Sequence, residues 1–203
     1  MLREDHGNVV GNHYDKYGTT NPVARALMRG FLSAVSDLYR RAAPRRVLEV
    51  GCGEGRLAHH LITTCPPPDV FEACDVSTAR VAAALDPRLH FREASIYDLP
   101  FADRSFDLVI CCEVLEHLDD PGRGLAEVAR VASEHALVST PREPLWRALN
   151  LMRGKYLADL GNTPGHVQHW SAHGLARFVE RELTIVERRQ PLPWTVLLTR
   201  PQR

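Results

Sequence analysis

Apolar residues along this chain follow two rhythms that take turns. From Asn21 onward, Leu27, Phe31, Ala34, Val35 and Leu38 recur at helical spacing and keep one face apolar. Asn21 as N-cap and Pro22 at the first helical position open that helix, Arg40 and Arg41 sit where its dipole favours cations, and Pro44 ends it. Short apolar runs then alternate with helical stretches. Val47–Val50, Val70–Cys74, Leu89–Arg92, Phe106–Cys111 and Ala136–Ser139 read as strands. Between them, Arg56–Ile62, a segment capped by Ser77 and running to about Leu85, and a segment opened by Asp120-Pro121 with Leu125, Val128, Ala129 and Ala132 on one side read as helices. This alternation predicts an α/β fold with a doubly wound, mostly parallel sheet and helices on both faces.

The end of the chain departs from the pattern. Leu175–Val179 is helical, but Leu183–Arg188 and Trp194–Thr199 are strand-like and joined only by Gln190-Pro-Leu-Pro193, too short for a crossover helix. Two such strands pair antiparallel, which predicts seven strands with a reversed last one. Before them, Thr140–Trp170 spans far more than the usual 2–6 residue connection. Two readings of residues 140–170 stand side by side: a small amphipathic helix on the sheet edge, or a cap over a substrate. The polar start, Met1–Thr20, reads as a lead-in containing Tyr14 and Tyr17, whose faces attract cations.

Length and composition bound the rest. The 203 residues suit a single domain over 1–203, with residues 1–43 as lead-in and first helix. Basic and acidic residues balance at 25 each, so no overall field points to nucleic acid, and no run is long enough to span a bilayer. A polar N-terminus without a signal peptide predicts a cytoplasmic location. Cys52, Cys65, Cys74, Cys111 and Cys112 lack Cys-x-x-Cys spacing and read as reduced core residues.

The stretch with chemistry in it is Val47–Leu61. A strand ending Glu49-Val50 runs into Gly51-Cys52-Gly53-Glu54-Gly55 and then a helix, so backbone can approach a ligand where a Cβ would clash. In the dinucleotide fingerprint the third glycine lies three residues beyond the second, but position 56 is Arg, which argues against NAD. Asp75 closes the next strand about twenty residues later, where a carboxylate accepts from ribose hydroxyls.

Glu49 with Gly-x-Gly-x-Gly resembles motif I of the class I S-adenosylmethionine (SAM) methyltransferases. Ser95-Ile96-Tyr97-Asp98-Leu99-Pro100-Phe101 followed by Ser105-Phe106-Asp107 resembles their adenine-side segment, with Ser95 where many relatives carry Asp. The resemblance runs from about Val47 to Thr199 and implies the Rossmann-like seven-stranded fold of that family, SAM as cofactor, and Glu49, Gly51, Cys52, Gly53, Asp75, Ser95, Ile96 and Glu113 around it. Ala132-Ser-Glu-His135 stands where relatives often have Lys-Pro-Gly-Gly and is expected to be a shortened surface turn. The Asp/Asn-Pro-Pro-Tyr/Phe tetrapeptide and a Pro-Cys nucleophile are missing, which disfavours amino-methylating DNA enzymes and cytosine C5 enzymes.

Cys111-Cys112-Glu113-Val114-Leu115-Glu116-His117-Leu118 follows the fourth strand, at the carboxyl end where doubly wound sheets bind ligands. Methyl transfer needs alignment, plus a base when the acceptor is a hydroxyl; histidine as a residue type titrates near neutral pH, which makes His117 the candidate. His166, in Gly165-His166-Val-Gln-His169-Trp170, is the second expected catalytic residue. Glu113, Glu116, His117 and His166 are also similar to the metal-binding set of small-RNA 2′-O-methyltransferases and resemble ubiquinone-pathway O-methyltransferases, so Mg²⁺, Mn²⁺ or Zn²⁺ is one reading of that set and a metal-free base the other. The function these residues point to is O-methylation of a small molecule. A non-catalytic SAM-binding module and a metal-dependent RNA-type enzyme are the alternatives.

Overall fold

The computed structural model describes residues 20–79, 81, 86–154 and 156–202. The lead-in with Tyr14 and Tyr17, and the predicted helix end near Leu85, lie outside the described residues.

Helix α1 (Pro22–Ala42) begins as its sequence requires. The Asn21 side chain accepts from the Val23 and Ala24 N–H groups, and a left-handed Ala43 ends the helix before Pro44. Its inner face is Met28, Phe31, Val35, Leu38, Tyr39 and Ala42, with Leu27 only half-buried. Seven strands follow: β1 (Arg46–Val50), β2 (Val70–Asp75), β3 (Leu89–Glu93), β4 (Phe106–Cys112), β5 (Ala132–Pro141), β6 (Leu183–Arg189) and β7 (Trp194–Pro201). Among the described residues the other α-helices are α2 (Arg56–Thr64), α3 (Pro121–Val131), α4 (Leu145–Met152) and α5 (Ala172–Val179).

The sheet order is β3-β2-β1-β4-β5-β7-β6. The pairs among β1–β5 are parallel, and β7 runs antiparallel to both β5 and β6, as the short link before Trp194 predicted. Strand alternation divides the apolar residues between two cores. Val47, Leu108, Ile110, Leu137, Val196 and Leu198 face α1 and α2, whereas Leu48, Val50, Val109, Cys111, Val138 and Leu197 face α3 and α5. All five cysteines are buried free thiols.

One element differs from its sequence reading. Ala132–His135 is not a surface turn: α3 runs straight into β5, Ala132 pairs with Phe106 and is fully buried, and the Ser133 hydroxyl donates to the Phe106 carbonyl. The irregular register between Phe106 and Leu108 absorbs the change of direction that a loop would otherwise make. Among the described residues no helix is long and apolar enough to cross a membrane.

The chain leaves β3 at one edge and re-enters at β4 beside β1, so the strand order reverses between β1 and β4. Ligands in doubly wound sheets sit at the carboxyl ends flanking such a reversal. Gly51, Asp75, Glu113 and Ser139 all lie at that end.

Candidate functional site

The glycine turn occupies the mouth of β1. Gly51, Gly53 and Gly55 take φ of +74°, +54° and +73°, which only glycine adopts without strain. At Gly51 a Cβ would also sit 2.3 Å from Cγ2 of Val114, so the turn and the loop after β4 pack backbone against side chain. At Gly53 a Cβ would meet nothing within 4 Å, leaving space on its outer side. The turn's N–H groups bond inward: Gly51 and Cys52 donate to the Cys74 carbonyl, Gly53 to Oδ2 of Asp75 at 2.8 Å, and Gly55 to the Cys52 carbonyl. A phosphate cradle needs such groups pointed outward, whereas these four are engaged within the fold.

Two carboxylates frame it. Asp75 ends β2, and besides the Gly53 contact its Oδ1 accepts from the Ser77 N–H at 3.4 Å. Glu49 lies on β1 one residue after Leu48, so alternation sends it to the α2 side, where it is 4% exposed. Burial pushes its carboxyl up to about 8, and the neighbouring Asp75 charge adds to the rise while the Ala58 N–H opposes it. Oε2 of Glu49 is buried without a hydrogen-bond partner.

The segment after β3 is a tight turn. The Ser95 hydroxyl accepts from the Tyr97 N–H, and Ile96 is buried in the α3-side core, close to Leu118 and Gly124. The Tyr97 hydroxyl accepts from the Asp120 N–H, and its ring lies under the Arg123 guanidinium.

Beyond β4, Glu113 adopts a left-handed φ of +62°. Its carboxylate accepts from Nε1 of Trp194 at 2.8 Å and from the Ser139 hydroxyl at 3.4 Å, which ties β4, β5 and β7 together at the site. A single 3-10 turn, Leu115–His117, then carries the buried Glu116 and the half-buried His117. The 140–170 insertion closes on this turn. Val167 and Gln168 donate their N–H groups to the Glu116 carbonyl, and the Gln168 side chain donates to the Leu118 carbonyl. Nδ1 of His117 lies 2.9 Å from the Gly165 carbonyl oxygen. A carbonyl can only accept, so this contact places the proton on Nδ1 and the lone pair on Nε2.

His166 is 6% exposed and meets the His117 ring edge to face at 4.9 Å. Side-chain ligand atoms of Glu116, His117 and His166 lie within 4.8 Å of one another. Glu113 stands outside that group, and its carboxylate accepts from Trp194 and Ser139. His169, the other imidazole of the motif, is exposed and bonds Asn162.

Trp146 and Trp194 were not foreseen as parts of the site. Trp146 of α4 stacks on His166 and contacts Trp194, which contacts Phe31 of α1. Tryptophans spaced through an insertion and a last strand carry no periodic signal, and only the closed fold brings them together.

A family model described as a methyltransferase domain matches residues 48–139. A Mycobacterium tuberculosis protein named as a probable S-adenosylmethionine-dependent methyltransferase is 36% identical over 110 residues, covering 51% of this chain and 40% of that protein. The malonyl-[acyl-carrier protein] O-methyltransferase of Hahella chejuensis is 29% identical over 126 residues, covering 60% of this chain and 45% of its own. The chain thus spans less than half the length of these curated relatives. Among solved structures, the magnesium protoporphyrin IX methyltransferase of Synechocystis, with SAH bound, superposes at a TM-score of 0.63 with 17% identity over 91% of this chain and 90% of that one.

Proposed function

We propose that this chain, whose residues 48–139 match a methyltransferase domain, is a class I SAM-dependent methyltransferase that moves a methyl group from SAM to a hydroxyl of a small-molecule acceptor in the cytoplasm, with His117 as the base. The residues present fit the cofactor: an orphaned buried oxygen on Glu49 asks for a donor, and the space over Gly53 would be filled by a Cβ. Glu49, Gly51, Cys52, Gly53 and Asp75 would hold it, with Ser95 and Ile96 on the base side and Glu113 at the far end. Bound SAM supplies an electrophilic methyl on a sulfonium. The chain's own part is to align an acceptor oxygen and take its proton.

The observation that carries this reading is the His117–Gly165 contact, because it leaves the basic nitrogen at Nε2 beside His166. The test is transfer of labelled methyl from SAM into a fractionated cell extract. His117→Ala should lower transfer about 10²–10⁴-fold, the range for loss of a general base, while SAM still raises the melting temperature. Undiminished transfer by the variant would overturn the base assignment. Label in the nucleic-acid fraction would favour the RNA-type alternative, and SAM binding with no labelled product would favour a binding module.

A second reading rests on the Glu116, His117 and His166 group. One carboxylate and two imidazoles suit a divalent cation such as Zn²⁺ or Mn²⁺. A cation held by these three residues would lower the pKa of an acceptor hydroxyl and make Nε2 of His117 a ligand instead of a base. Exhaustive chelation and Glu116→Ala separate the two: each should abolish transfer under the metal reading, and transfer unchanged by both excludes it.

A further inference from the structure

His117 sits on a turn with little support of its own. Leu115–His117 is one 3-10 turn, closed by the His117 N–H on the Val114 carbonyl at 3.0 Å and the Leu118 N–H on the Leu115 carbonyl at 3.2 Å. Hydrogen-bond geometry in such a turn is poor, so the direction of a side chain on it depends on what grips the turn from outside.

The grip comes from one half-buried residue of the insertion. Gln168 donates its backbone N–H to the Glu116 carbonyl at 3.0 Å and its side-chain Nε2 to the Leu118 carbonyl at 3.1 Å. These carbonyls belong to the residues on either side of His117. A carbonyl can only accept, so the Leu118 contact also sets which way the Gln168 amide points. Val167 donates to the Glu116 carbonyl as well, at 2.9 Å, but two donors on one oxygen make a pivot. The bond to Leu118 is the second point of attachment, and it stops the turn from rotating about the first.

Gln168 also fixes one end of the segment that carries the Gly165 carbonyl. Its other end is fixed by Thr163, whose hydroxyl accepts from Nε1 of Trp146 at 2.8 Å and from Nδ2 of Asn150 at 3.2 Å. The Thr163 carbonyl accepts from the His166 N–H at 3.0 Å, which closes the segment into a turn around Gly165. With Thr163 tied to α4 and Gln168 tied to the 3-10 turn, the Gly165 oxygen is held 2.9 Å from Nδ1 of His117.

We propose that Gln168 is a positioning residue for methyl transfer: by bracketing His117 at Glu116 and Leu118, it keeps Nδ1 on the Gly165 carbonyl and the ring in the tautomer protonated there. Gln168 acts through His117 and not on the acceptor. Its effect on rate rests on the reading of His117 as the base; its hold on the ring does not.

The test is Gln168→Met in the full chain, which keeps the length of the side chain and removes its donor. In protein labelled with heavy nitrogen, NMR of the imidazole nitrogens reports the tautomer of His117, identified by the signals lost in His117→Ala. At about pH 8.5, where an ordinary imidazole is neutral, the wild-type proton should reside on Nδ1. In Gln168→Met the share protonated at Nε2 should rise about fivefold, the equivalent of one lost hydrogen bond. The kcat should fall about ten- to a hundredfold, as for a base displaced by a fraction of an ångström to an ångström, with the KM for SAM unchanged. Gln168→Lys restores a donor of similar reach and should return both quantities toward wild type. A contact that only stabilises the fold would lower the melting temperature of Gln168→Met and leave the tautomer where it was, which overturns the proposal. A wild-type His117 protonated on Nε2 overturns it without any variant. A shifted tautomer with undiminished transfer upholds the positioning and overturns the base assignment instead.

Discussion

Replacing Glu49 by Gln should flatten the dependence of stability on pH. The carboxyl is buried on the α2 side of β1 and its folded-state value is raised from the ordinary 4.5 to about 8, chiefly by loss of water. Between those values the folded protein holds a proton that the unfolded chain has released. Stability is therefore fully present below about 4.5, falls as pH rises through the window, and levels off above about 8. At about 1.4 kcal/mol per pH unit the full window is worth at most about 5 kcal/mol, and relaxation around a buried charge reduces this to about 2–3 kcal/mol. Gln keeps the shape and the acceptor for Ala58 but cannot ionise. Its unpaired amide N–H costs a constant amount, so the diagnostic is the slope and not the level. Urea unfolding at constant ionic strength from about pH 5 to about pH 8.5 should show a decline in the wild-type protein and a shallower one in Glu49→Gln. SAM affinity should fall in the variant even where its stability is the higher, the usual exchange at a binding site. Parallel pH profiles would refute the argument, because they would mean that Glu49 is ionised at little cost in the folded protein.

Gly51→Ala should cost about 2–5 kcal/mol in denaturant unfolding, the sum of a left-handed φ and a Cβ pressed into Val114; Val114→Ala in the same chain should recover only the steric part. Asp75→Asn keeps an oxygen for the Gly53 N–H and should change stability by less than about 1 kcal/mol, yet weaken SAM about ten- to a hundredfold by calorimetry; unchanged affinity would remove Asp75 from the cofactor set. Trp194→Phe loses the indole donor to Glu113 and should destabilise by about 1.5–3 kcal/mol, with a matching drop in melting temperature.

The strands and helices around the glycine turn could be read from the sequence because each is specified locally. Asn21-Pro22, Asp120-Pro121, the three close glycines and the two-residue alternation of β1 and β4 each fix their own stretch of backbone, and Gly51 and Asp75 come together because β1 and β2 are adjacent parallel strands. The reversed β7 was legible for the same reason, from a link too short to cross over. Ala132–His135 misled because its polar residues look like a turn, while its pairing with β4 depends on a register irregularity that no local signal announces. The burial of Glu49 was also hidden: alternation gives the side it faces, but not that Oε2 finds no donor there.

The proposed acceptor side depends on long-range closure, and this explains why the sequence left the role of residues 140–170 open. His117 owes its tautomer to the carbonyl of Gly165, forty-eight positions away, and that carbonyl is placed by an insertion hinged where Glu143 bonds Trp170. The insertion is in turn seated by Trp146, which bonds Thr163, stacks on His166 and leans on Trp194, which itself contacts Phe31. The proposed base thus rests on an aromatic chain running back to α1, while the glycine turn rests on strand ends. Trp146→Ala separates the two supports. It removes the stack without touching the glycine turn, so the loss should fall on methyl transfer, with SAM affinity kept within about threefold. Equal losses in both would mean that the two halves form one cooperative unit and that the aromatic chain holds the whole mouth of the sheet.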